Sequence, residues 1–148
     1  RRVLHVSPAP AACGTAALAG HLAAQLRPET KPAARWPRVS HCIVVNGSLH
    51  PRSIEQIRQA PREWRTFSYE SGIAETIAQQ QPEALIVFGG DTTFEILRAL
   101  EVTLLRPQGE ILPGLPFSLM ENGPRYLITK AGGFGTIDVL EQLRRKLA

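Results

Sequence analysis

The 148-residue sequence predicts an α/β domain: a mostly parallel sheet flanked by helices, with ligand loops at the carboxyl ends of the strands. One unit repeats three times in pattern, an apolar run followed by glycines and then a helix. The central copy is Ala84 to Leu100, ALIVFGGDTTFEILRAL. Ala84 to Phe88 is a continuous apolar run, as in a strand buried on both faces. Gly89-Gly90 break it. Asp91 or Thr92 is then placed to cap a helix carrying Phe94, Leu97 and Leu100 at helical spacing. The second copy is Cys42 to Asn46 (CIVVN), then Gly47-Ser48 and a helix from Pro51 to Gln59. The third is Tyr126 to Thr129 (YLIT), then Lys130, Ala131-Gly132-Gly133-Phe134-Gly135 and a helix using Ile137, Leu140 and Leu143. In parallel sheets ligands sit beyond the carboxyl ends of the strands, where these three loops would converge.

The remaining elements follow in order. Val3 to Val6 reads as a strand, and Thr15 to Leu26, with Leu18, Leu22 and Leu26 on one stripe, as a helix. Arg27 to Arg38 holds three prolines and reads as a loop that Trp36 anchors. Arg65 to Ser68 is expected to be a strand and Ser71 to Gln80 a helix packed through Ile73 and Ile77. Val102 to Leu105 is expected as a strand. Arg106 to Pro116 (RPQGEILPGLP) carries too many prolines and glycines for more than a short extended piece. Phe117 to Met120 reads as a strand and Glu121 to Pro124 as a turn.

With 43% hydrophobic residues the chain can bury one core, so residues 1–148 are expected to form a single domain. A net charge of +4 and a pI near 9.6 raise the question of nucleic acid. Arg52, Arg58, Arg62 and Arg65 are scattered over a helix and loop rather than interleaved with aromatics, so no nucleic-acid partner is expected. A basic domain serves a polyanionic small ligand equally well. Cys13 and Cys42 form no CxxC pair and read as buried thiols of a reducing, cytoplasmic compartment. No apolar run reaches the length of a membrane span.

The common nucleotide loops are missing. The chain contains neither GxxxxGK[ST] nor GxGxxG. A phosphate site would have to be assembled from loops of separate units. Backbone N–H groups of Gly132, Gly133 and Gly135 can supply directional bonds and Lys130 a point charge. Taken alone, Lys130 is equally a lysine leaving the sheet for water. Asp91 is either a helix cap or a carboxylate that meets Mg²⁺ through water, and Thr136 either donates a hydroxyl or caps the last helix. His5, His21, His41 and His50 show no metal-ligand spacing. Only His50 lies beside a glycine loop. No nucleophile–base arrangement and no carboxylate pair for acid–base chemistry stands out.

GGDTTFEILRAL, LRPQGEILPGLPFS and YLITKAGGFGTIDVL, in that order, resemble the nucleotide-binding C-terminal domain of the four-carbon acid sugar kinases. That family was long catalogued as a domain of unknown function, and some members carry the label type III effector Hrp-dependent outer protein. The resemblance runs from about Ile43 to Leu143. It implies a kinase that uses ATP with Mg²⁺ to phosphorylate a tetronate or 3-oxo-tetronate at its terminal hydroxyl. It assigns Gly89, Gly90, Asp91 and Thr92 to one phosphate-side loop and Lys130, Gly132, Gly133 and Gly135 to another. Gly109, Glu110, Pro113 and Gly114 match the segment lining the nucleotide. Gly47 and Ser48 open a stretch similar to GSxSxxTxxQ that ends at Gln56, with His50 and Ser53 in place of the usual serine and threonine. The family's aspartate-rich motif resembling DDxTGA is not in this sequence. The sequence also lacks an initial methionine, so the expectation is the C-terminal half of a two-domain enzyme whose catalytic base and sugar-acid site lie on an N-terminal domain. A homo-oligomer is compatible with this. A free-standing nucleotide- or anion-binding regulatory or effector module, and a degenerate domain that keeps only the fold, are the competing readings.

Overall fold

The computed structural model describes residues 35–148. The expected strand and helix at Val3 to Val6 and Thr15 to Leu26 lie outside them, as does Cys13. The described elements are β1 (Cys42–Asn46), α1 (Pro51–Arg58), β2 (Arg65–Ser68), α2 (Ile73–Gln80), β3 (Ala84–Phe88), α3 (Gly90–Ala99), β4 (Leu105–Leu112), β5 (Leu115–Met120), β6 (Tyr126–Lys130) and α4 (Val139–Leu147).

They build one six-stranded sheet in the order β2-β1-β3-β6-β5-β4. β2, β1, β3 and β6 run parallel, while β5 and β4 are antiparallel additions at one edge. Every residue of β3 is fully buried, as its unbroken apolar sequence requires of a central strand covered on both faces. Alternation along the strands divides the core into two layers. Cys42, Val44, Ile86, Phe88 and Ile128 meet Leu140 and Leu143 of α4, with Ile57 of α1 packed alongside. Ile43, Val45, Leu85, Val87 and Leu127 meet Ile73 and Ile77 of α2 and Ile96 of α3. Burial pushes the Cys42 thiol up, so it remains a protonated, inert core residue.

The chain leaves β1 for β2 on one side, then returns past β1 to β3 on the other. Strand order therefore reverses between β1 and β3. That reversal opens a crevice at their carboxyl ends.

Five expectations are corrected. Arg106 to Pro116 is not irregular: it supplies most of β4, the turn and the start of β5, a hairpin with register shifts at Pro107/Gly109 and Glu110/Leu112. Pro107 is tolerated because β4 is the edge strand, and Pro116 because it precedes the stretch of β5 paired to β6. The strand begins at Leu105 rather than Val102. α3 starts at Gly90, so neither Asp91 nor Thr92 is its cap; Gly89 is, with no side-chain bond. Phe94 is 63% exposed, because Thr92 and Ile96 form the buried stripe of α3, and Ile137 lies before α4 and is exposed.

Candidate functional site

Three loops meet at the carboxyl edge: Gly47–His50 after β1, Gly89-Gly90 after β3, and Ala131–Thr136 after β6. The first two touch at the strand reversal. A Cβ on Gly47 would fall 1.7 Å from Thr92 Oγ1, and one on Gly89 would fall 3.6 Å from the Gly47 carbonyl carbon. Only a residue without a side chain lets Thr92, buried at the third position of α3, seat there. Thr93 Oγ1 donates to the Gly89 carbonyl at 2.7 Å and steadies the same turn. The first amides of α3 have no intrahelical partner and no side-chain cap, and Asp91 stands exposed among them.

The first and third loops touch as well. Gly132 lies against Ser48 Oγ and Gly133 against the His50 ring, whose Nε2 would be 2.8 Å from an added Cβ. His50 is the N-cap of α1. Its Nδ1 accepts from the Arg52 N–H at 3.1 Å, which leaves the proton of the neutral ring on Nε2, facing Gly133. Ser48 is held in turn: its N–H donates to Asn46 Oδ1 at 3.1 Å and its Oγ accepts from the His50 N–H at 3.2 Å.

The glycine loop after β6 is fastened through its carbonyls. Ser53 Oγ donates to the Gly132 carbonyl at 2.6 Å. Gln56 Nε2 donates to the Phe134 and Thr136 carbonyls at 3.0 and 2.8 Å, and Arg52 reaches the Gly135 carbonyl at 3.4 Å. Lys130 Nζ donates to the carbonyls of Ala131, Gly132 and Phe134. Ser53 and Gln56 are fully buried, so α1 packs polar side chains on the backbone of the glycine loop while Ile57 meets the apolar core. All described peptides are trans, so each carbonyl opposes the N–H that follows it. Drawing carbonyls 131, 132, 134 and 135 toward α1 and Lys130 turns the amides of Gly132, Gly133, Gly135 and Thr136 the other way.

Lys130 is therefore inside the site rather than at its mouth. It is 2% exposed, and its three ammonium donors are committed to loop carbonyls. Burial, reinforced by the nearby Arg52 charge, lowers its pKa to about 8. Thr136 does not cap α4; Asp138 is the residue before it, and Thr136 Oγ1 donates to Asp138 Oδ1 at 2.6 Å.

The hairpin residues lie to one side. Gly114, at φ +74°, sits against the ring of Phe134, and Gly109 against Trp36. The Trp36 ring packs at a tilt against Phe117, with ring centres 5.2 Å apart, so it anchors the segment before β1 to the core. Glu110 and Pro113 are exposed. Among the sequence-predicted residues, the structure brings together Gly47, Ser48, Gly89, Thr92, Gly132 and Gly133. Gly90 and Asp91 stand at the adjoining helix start, and Gly135 lies over Gln56 and Val139. Sequence reasoning gave Gln56 and Ser53 no task of their own. Polar residues spaced i, i+3 on the inward side of a short helix were the available signal.

Residues 68–140 match the family described as nucleotide-binding C-terminal domain. Over that stretch the chain is similar to this family. A 77-residue stretch, 51% of the chain, is 32% identical to a 3-oxo-tetronate kinase of Pseudomonas fluorescens, of which it covers 18%. In fold, the chain is similar to a Haemophilus influenzae protein of a domain-of-unknown-function family, with TM-score 0.67 and 19% identity over 88% of this chain and 46% of that one. It is also similar to a Bordetella bronchiseptica domain of unknown function, solved with citrate as a domain-swapped dimer, with TM-score 0.59 and 16% identity over 74% of this chain and 41% of that one. The chain thus spans less than half the length of each of these relatives. Among the described residues no helix is long and apolar enough to cross a membrane, and no three His, Cys, Asp or Glu side chains cluster as metal ligands.

Proposed function

We propose that this chain is the ATP-binding half of a two-domain kinase that phosphorylates a four-carbon sugar acid, a tetronate or 3-oxo-tetronate, at its terminal hydroxyl. The observation that carries the reading is the convergence of the uncapped start of α3 with a glycine loop whose carbonyls are fastened from beneath. Backbone amides left free in this way, together with the helix dipole, suit the phosphates of a nucleotide. The kinase name of the Pseudomonas fluorescens relative supports the reaction class.

Phosphoryl transfer needs positioning and charge neutralisation more than covalent chemistry from the protein. The amides of Gly132, Gly133 and Gly135 and the first turn of α3 hold the phosphates. Lys130 and Arg52 add positive charge from behind the loop. Asp91 is a lone exposed carboxylate beside that turn, which fits a Mg²⁺ that takes most of its ligands from phosphate and water. The ion, when bound with the nucleotide, neutralises charge developing on the phosphates. The base for the sugar hydroxyl belongs to the second domain, across a cleft that closes on substrate. A cytoplasmic enzyme acting on small molecules, without a nucleic-acid or membrane partner, belongs to this reading.

Calorimetric titration with Mg-ATP, with Mg-GTP and sulfate as controls, tests the binding half. Saturable binding of ATP, tighter than of either control, is expected. The parent enzyme should then form ADP with a four-carbon sugar acid. Nucleotide binding with no turnover of any such acid would favour a non-catalytic module, and no binding in either protein would leave only the fold.

A further inference from the structure

We infer that the flank formed by α3 and the start of β4 is a self-association surface, through which two copies of this chain pair about a two-fold axis. A cavity of about 390 Å³ opens there, lined by Phe94, Leu97, Val102 and Leu105, with Arg98 and Glu101 beside them. Its floor belongs to the core, since Leu97 and Val102 pack on the cluster that holds Ile96, Met120 and Leu127. Its walls do not. Phe94 is 63% exposed, and Leu104 and Leu105 are 44% and 36% exposed. The topology explains why. α3 lies over β3 and β6, and the sheet continues past it to β5 and β4. Met120 and Leu105 are register partners on those two strands, so their side chains share a face. Met120 is buried in the cluster under α3, while Leu105 stands past the helix and open to solvent. Phe94 stands on the outer side of α3, with the Arg98 guanidinium 5.9 Å from its ring centre. A phenyl ring and two leucines left open together form a patch that burial against a second surface would stabilise.

The charges around this patch decide which surface fits it. Arg98 pairs with Glu95 and Arg106 with Glu121, and Glu101 is exposed beside them. Both signs are therefore interleaved on one small rim, although the chain as a whole carries +4. A strongly acidic or strongly basic partner would meet like charges there. A second copy would not: a two-fold contact opposes the patch with itself, so arginines face glutamates twice over. The position also spares the ligand loops. The cavity runs from the middle of α3 to the first residue of β4, and β4 starts level with the amino ends of the parallel strands. Pairing there leaves the carboxyl edge open.

Sedimentation equilibrium of the full chain, whose monomer is 16.2 kDa, tests the pairing. Twice that mass is expected, with a Kd on the order of 10 μM for a patch of this modest size. Phe94→Glu and Leu105→Glu each place a charge among the apolar walls and should each raise the Kd at least about tenfold. Both side chains are exposed, so the urea midpoints of the variants at monomeric dilution should match that of the unaltered chain, which separates lost pairing from lost folding. Leu49→Glu, at a leucine 92% exposed on the carboxyl edge, should leave the dimer as it was. An unaltered chain that stays monomeric well above that Kd overturns the inference. So does a dimer that persists in both flank variants, or one that only Leu49→Glu dissolves.

Discussion

Lys130 lies beside Phe88 in register on neighbouring parallel strands, with its ammonium 4.2 Å from the centre of the phenyl ring. The ring covers one side of the charge, and the carbonyls of Ala131, Gly132 and Phe134 accept hydrogen bonds from it. The lysine thus closes the glycine loop onto the end of β6. Replacing it by methionine keeps the stem and removes every donor. Lys130→Met is expected to lower folding stability by about 3 kcal/mol, the scale for leaving several buried carbonyls unpaired. Mg-ATP affinity should fall with it as the loop loses its shape. Urea denaturation beside calorimetry separates the effects: intact stability with lost affinity would mean that Lys130 contacts phosphate directly.

The same burial sets a pH dependence. Lys130 titrates at about 8 in the folded chain against 10.5 ordinarily, because burial and then the Arg52 charge disfavour its ammonium. Between those values the unfolded chain binds a proton that the folded chain does not. Stability from this group therefore rises as pH increases through that window, while below about 8 the full penalty of burying the charge is present. The melting temperature of the unaltered protein, measured relative to Lys130→Met, should climb from about pH 7.5 to about pH 10. A flat difference would show that the folded chain titrates like the unfolded one.

Much of this fold was legible because its central strands are unambiguous. CIVVN, ALIVF and YLIT are apolar runs that lead into glycine-containing loops, and each became a parallel strand feeding a loop at one edge. The hairpin was not legible, because proline and glycine counted against a strand. Their tolerance at Pro107 and Gly109 depends on β4 lying at the sheet edge, which only the topology reveals. Phe94 was misplaced because a stripe of large apolar residues outweighed Thr92, whose burial follows from its fit against Gly47. The direction of Lys130 depends on carbonyls that local sequence does not orient.

His50 joins two parts of the site, since it caps α1 through Nδ1 and covers Gly133 with the far edge of its ring. His50→Asp, whose carboxylate also accepts from the Arg52 N–H, should hold α1 at least as well as histidine. His50→Ala is expected to cost about 1 kcal/mol of stability through the lost cap. Gly133→Val should be worse for nucleotide binding than either, because its branched side chain must displace the ring and crowd the loop amides. Denaturation curves and ATP titrations of the three variants check this ordering. A valine variant that folds and binds normally would reduce the loop to a turn.

Gly47 and Thr92 define the crevice between β1 and β3 more tightly than any other pair. An alanine at 47 would overlap Thr92 Oγ1 at 1.7 Å and Thr92 Cβ at 2.5 Å, so the first turn of α3 must move away. Gly47→Ala should therefore destabilise the fold by about 2 kcal/mol, in the range for overpacking, and weaken nucleotide binding by moving the amides of α3. Thr92→Gly alone should be mildly harmful, since it empties a packed position and adds a flexible residue to a helix. The double variant Gly47→Ala, Thr92→Gly should recover part of the loss, because the new methyl group takes the space that the threonine side chain leaves. A double-mutant cycle in urea measures that coupling. Additive losses would place the Gly47→Ala damage in the β1–α1 loop itself and leave α3 where it stands.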